Sequence, residues 1–148
     1  MNRALEPSVT MTRLREALEA SWRPDTAYLG VEAKGNRALG QCYPTSRVIQ
    51  HYYPRFEIAQ GEVWTGKKLE THFWNVLVTD EGLLVHVDLT WQQFPHGSQV
   101  RSFRIRDRND LGDSSSTLER VERLLGRVKA FLGEHSHDEK NDGYSAAS

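Results

Sequence analysis

The chain has one cysteine, Cys42, and six histidines. A lone thiol forms no intramolecular disulfide, so it is either a small buried apolar group or a group with chemistry of its own. A free thiol ionises with a pKa of roughly 8.5, and the thiolate is the nucleophile. Such chemistry needs an imidazole to take the proton and a carboxylate or amide to orient the imidazole. His72 and Asp88 fill those roles on paper. His72 would deprotonate Cys42, Asp88 would orient and charge-stabilise His72, and Cys42 would attack an amide or ester carbonyl. The resulting acyl-enzyme would pass to water or an amine.

The elements around these residues decide whether they can meet. A helix is expected from Cys42 or Tyr43 to about Tyr53. Pro44 stands near its start, where a missing N–H costs nothing, and Pro54 ends it. Cys42 then lies at a helix N-terminus, whose dipole favours a thiolate. Thr71 to Thr79 is rich in β-branched and aromatic residues, Asp80-Glu81-Gly82 is a turn signal, and Leu83 to Thr90 reads as the returning strand.

Parity in this hairpin is the critical test. With a three-residue loop and Gly82 left-handed, Thr79 pairs with Leu83, Trp74 faces Asp88 and His72 faces Thr90. His72 and Asp88 become diagonal neighbours on one face, within hydrogen-bonding reach. A two- or four-residue loop puts them on opposite faces. Trp74 shares the face of His72, and Asn75 takes the other. Both are read as supporting groups, and Thr90 and Gln92 as more distant support. The Gln41 amide and the Cys42 backbone N–H are candidate donors to a developing oxyanion, and Gln41 reads equally as an ordinary loop or cap residue.

Around this centre, Thr10 or Thr12 can cap a first helix with Leu14, Leu18 and Trp22 on one face. Asp25 to Gly40 reads as loop. Glu57 to Trp64 and Val100 to Ile105 read as further strands. A last helix has capping-box spacing from Ser116 to Glu119 and an apolar stripe from Leu118 to Leu132, with Gly133 as C-cap. Residues 1–133 are taken as one domain and 134–148 as a mobile tail.

Gly40-Gln41-Cys42-Tyr43 resembles the Gly-Gln-Cys-aromatic nucleophile motif of transglutaminases. His72-Phe73-Trp74-Asn75 resembles their His-x-Trp-Asn strand, and Asp88-Leu89-Thr90-Trp91-Gln92 their Asp-x-Thr-x-Gln segment. The His-aromatic-Trp-Asn string, Asp-Leu-Thr-x-x-Gln-Phe and the compact size look closer still to the small bacterial YunG-like proteins. The resemblance implies an α+β fold with a papain-like, transglutaminase-like core, helices packed on a small antiparallel sheet. It implies a Cys42, His72, Asp88 triad acting as acyl transferase or amide/ester hydrolase on an acyl substrate (peptide, amide or ester). Pro44 departs from the apolar helix formers that follow the transglutaminase motif, and no calcium loop is evident. Calcium-dependent cross-linking is therefore not implied. Trp22 is a conceivable oxyanion partner, but its spacing with Leu14 and Leu18 favours core packing.

Composition narrows the alternatives. A net charge of -1 lacks the basic excess of a nucleic-acid binder. The arginines from Arg101 to Arg108 are interleaved with Asp107 and Asp110. No apolar run reaches the roughly 20 residues of a membrane span, and the start lacks the apolar core of a secretory signal. A cytoplasmic location is expected. Cys42, His51, His72, His86, His96 and Asp88 lack close zinc-ligand spacing; only His135 and His137 have it, in the presumed tail. No metal or other cofactor is expected, and oligomeric state is left open. A non-catalytic interaction protein on the same scaffold is the competing reading.

Overall fold

The computed structural model describes residues 9–28 and 37–134. Part of the expected 25–40 loop and all but the first residue of the expected 134–148 tail lie outside these residues. The described chain is an α+β arrangement of three helices and a curled four-stranded antiparallel sheet. No helix among these residues is long and apolar enough to cross a membrane.

Helix α1 spans Met11–Ser21, and its cap is Thr10, whose side-chain oxygen accepts the Arg13 N–H at 3.1 Å. Leu14, Ala17 and Leu18 are fully buried, and Trp22 follows them into the core. Helix α2 spans Cys42–Tyr52 and contributes Val48 and Ile49 to the same cluster. Helix α3 spans Ser115–Leu132, with Leu124 and Val128 buried against α1 and α2. Its cap is Ser114, which accepts from the Thr117 N–H, so the expected Ser116–Glu119 box falls inside the helix. Only the middle of the expected stripe is core: Leu118 and Phe131 are exposed, and the Arg13 guanidinium sits over the Phe131 ring.

Thr10→Ala removes the oxygen that accepts the Arg13 N–H and leaves that donor without its cap at the start of α1. It is expected to cost about 1 kcal/mol, read as a lower urea midpoint with an unchanged m-value.

The strands are β1 (Glu57–Trp64), β2 (Leu69–Val78), β3 (Leu84–Val87) and β4 (Gln99–Ile105), in spatial order β3-β2-β1-β4. The hairpin register is the three-residue-loop register: Val78 pairs with Leu84 and Asn75 with Val87. Thr79 N–H donates to Leu83 O at 2.8 Å, and Gly82 adopts the left-handed φ of 84° that this loop needs. The returning strand is shorter than expected. It stops at Val87, and the chain leaves the sheet through Asp88-Leu89-Thr90 into a 3-10 turn, Trp91–Gln93. This departure leaves the first half of β2, around His72, open to another element on that side.

Candidate active site

Gly40 brings α2 to this opening. Its φ is 78°, its carbonyl accepts the Tyr28 N–H at 2.8 Å, and a Cβ there would sit 3.2 Å from the Ala27 Cβ. A side chain is thus disfavoured by both backbone conformation and space. Gln41 follows, 1% exposed, with its Oε1 2.8 Å from the Thr26 hydroxyl and its Nε2 donating to the Arg23 carbonyl at 2.9 Å. The Gln41 side chain therefore ties the start of α2 to the Pro24–Thr26 turn. The amide is thereby committed to that turn, which is the loop-or-cap reading of Gln41. Trp22 likewise packs in the core, and its indole N–H donates to Thr45 at 2.9 Å.

Cys42, the first residue of α2, is partly exposed. It opens into a cleft of about 890 Å³ whose walls include Tyr43, Phe73 and Gln93. The fully buried His72 is the neighbour of Cys42. The His72 Nε2 is 2.7 Å from Asp88 Oδ2. A carboxylate accepts, so Nε2 carries a proton and Nδ1 is the nitrogen left for other partners. Gln93 Nε2 lies 3.5 Å from Nδ1, and Cys42 is near enough to the same ring to raise its pKa.

Burial by itself lowers the His72 pKa. Hydrogen bonds to Asp88 and Cys42 and the charges of both outweigh it, and the imidazole is held up at about 9. An aromatic cage fixes its plane. Trp74 stacks on it with centroids 5.5 Å apart, and Phe94 meets it edge-on at 4.7 Å. Trp74 is held in turn by its indole N–H, which donates to His86 Nδ1 at 2.9 Å.

Asp88 is fixed from behind. Its Oδ1 lies 3.3 Å from the Thr90 N–H and 3.4 Å from the Thr90 hydroxyl. Thr90 is 1% exposed, and its carbonyl and hydroxyl also receive the Gln93 amide, at 3.1 and 3.2 Å. Asn75, on the opposite face from Trp74, donates to the Ser46 carbonyl at 3.0 Å and joins β2 to α2. The elements thus bring Cys42, His72 and Asp88 together, with Trp74 and Thr90 in contact with them. Gln41 and Asn75 hold α2 in place.

Gln93 is the residue that sequence reasoning left without a role. Besides approaching His72 and Thr90, its Oε1 lies 3.5 Å from the Gly40 N–H. Its only sequence signal was its place in the Asp-Leu-Thr-x-x-Gln-Phe string. Gln92, weighed instead, is exposed and contacts the Leu89 carbonyl.

A thiol, an imidazole and a carboxylate thus meet where a helix N-terminus reaches an antiparallel sheet, in an α+β protein. The family described as YunG protein matches residues 10–133, and the chain belongs to that family. Searches of curated proteins and of solved structures found no match.

Proposed function

We propose that the protein is a cysteine-dependent acyl transferase or amide/ester hydrolase built on a transglutaminase-like, papain-like plan. The observation that carries this reading is the His72–Asp88 contact of 2.7 Å on an imidazole that Cys42, at the start of α2, also approaches closely enough to raise its pKa. In this reading the thiol proton already rests on His72 Nδ1 near neutral pH, as a thiolate–imidazolium pair, and the sulfur attacks a carbonyl carbon. The Cys42 backbone N–H, at the positive end of α2, stabilises the oxyanion, and Gln93 steadies the ring. The tetrahedral species collapses, His72 returns the proton to the departing amine or alcohol, and a Cys42 thioester remains. His72 then takes a proton from water or an amine that attacks the thioester, and Cys42 leaves as thiolate, ready to be reprotonated or to react again. A cytoplasmic, reducing setting fits this use of one free thiol.

Alkylation by iodoacetamide at about pH 6 tests the reading, since an isolated thiol is almost wholly protonated there. Cys42 is expected to label at least roughly tenfold faster than a free thiol, and His72→Ala to remove most of that advantage. Labelling at the free-thiol rate, indifferent to His72→Ala, would leave the scaffold as a non-catalytic interaction protein.

A further inference from the structure

The cleft that opens over Cys42 carries unbalanced positive charge. Its charged lining groups are Lys68, Glu70, Arg106, Asp113 and Arg120. Both acids are already paired: Glu70 lies 3.4 Å from Lys68, and Asp113 accepts from the Tyr43 hydroxyl at 2.5 Å and from Arg47. Among the described residues, neither Arg106 nor Arg120 forms an ion pair. Arg106 spends its two terminal nitrogens on neutral oxygens, Gln60 Oε1 at 2.8 Å and the Leu111 carbonyl at 3.0 Å. Arg120 donates from Nη2 to the Thr117 hydroxyl at 3.0 Å, while its Nε–H is buried without an acceptor.

A buried cationic donor with no acceptor is costly, and native structures rarely leave one so. A guanidinium matches the two oxygens of a carboxylate with paired N–H donors. We propose that the cleft binds an acyl substrate bearing a free carboxylate, with Arg120 as the principal anchor, Arg106 adding charge, and Cys42 facing the acyl carbon. This specificity rests on the assignment of Cys42 as the reacting atom.

The test uses the full chain and two matched pairs of alkylating probes. The acids are N-iodoacetyl-β-alanine and N-iodoacetyl-6-aminohexanoate, and each is compared with its neutral carboxamide. For at least one pair, the acid is expected to react with Cys42 roughly tenfold faster than the amide. Salt at about 0.5 M should shrink that ratio. Arg120→Gln should bring it to about one or below, while Arg120→Lys, which keeps charge but loses the fork, falls between. The ratio is internal to each protein, so a general change in thiol reactivity cancels.

Acid-to-amide ratios of one or less in the unaltered protein, or ratios that survive Arg120→Gln, overturn the proposal. So does a matched phosphonate probe that outruns the carboxylates. Failure of Cys42 activation has a separate signature: slow labelling by iodoacetamide that His72→Ala does not change.

Discussion

Asp88→Asn is expected to lower the melting temperature by about 5–8 °C at about pH 5.5 and by very little at about pH 10. Asparagine keeps the shape and one acceptor oxygen but removes the charge that holds the His72 proton. In the folded protein His72 titrates at about 9, against 6.5 for the ordinary side chain. A folded pKa above the unfolded one means that the folded state holds the proton more tightly. The stabilisation is therefore complete below about 6.5 and is lost as pH rises through about 9. Linkage puts a ceiling of roughly 3 kcal/mol on it, divided between Asp88 and Cys42, so Asp88→Asn is assigned about 2 kcal/mol at low pH. Solvent screening takes little from this, because the His72 side chain is 0% exposed and that of Asp88 only 19%. Comparing the two proteins at each pH removes the contribution of every other titrating group. Equal losses at both pH values would mean that Asp88 acts as a neutral hydrogen-bond acceptor and that His72 is not held protonated by it. An NMR titration of the His72 ring gives the same answer directly, with the midpoint falling in the variant.

The parts of this site that were legible in the sequence obey local rules. Pro44 and Pro54 bracket α2 and so place Cys42 at its first turn. Gly82 sets the hairpin loop, and the loop length alone puts His72 and Asp88 on one face. The parts that were not legible depend on competition or distance. Leu83 to Thr90 has the composition of a strand, so the sequence predicts a returning strand that runs to Thr90. Instead the Asp88 carboxylate captures the Thr90 backbone and hydroxyl, and the chain turns out of the sheet. That bend delivers Gln93 and Phe94 to His72, which no periodicity reports. Similarly, the run Ser114-Ser115-Ser116-Thr117 offers several caps for α3, and local pattern alone does not choose among them. Asp113 just before it is held by Tyr43 and Arg47 of α2, and the helix begins from Ser114. Gln41 beside a nucleophile looks like an oxyanion donor in one dimension. It is taken by a turn 15 to 18 residues earlier in the chain.

Gly61→Ala reaches the site from the neighbouring strand, on the face that carries His72, and it is expected to cost about 2–3 kcal/mol. Gly61 pairs with His72 on one side and with Phe103 on the other. A methyl group there would lie 2.6 Å from Trp74 Cη2, 2.9 Å from its Cζ3 and 2.6 Å from the Ser102 carbonyl oxygen. Neither neighbour gives easily. The carbonyl belongs to the adjacent strand, and the indole is anchored to His86 and stacked on His72. The chain can bend the β1–β4 ladder or push the indole aside, and the second course moves the plate against which the catalytic candidate rests. Gly61→Ala should therefore lower stability and slow Cys42 alkylation together. Adding Trp74→Phe removes the atoms nearest the new methyl group but not the carbonyl, so the double variant should recover part of the lost stability. The non-additivity, about 1 kcal/mol or more, measures the indole's share of the clash. The double variant should stay slow in alkylation, because the stacked indole that orients His72 is gone. A Gly61→Ala protein with unaltered melting temperature and labelling rate would show that Trp74 does not pack over this glycine in solution. The cage that holds the His72 ring would then have to be built by Phe94 and Trp91 alone.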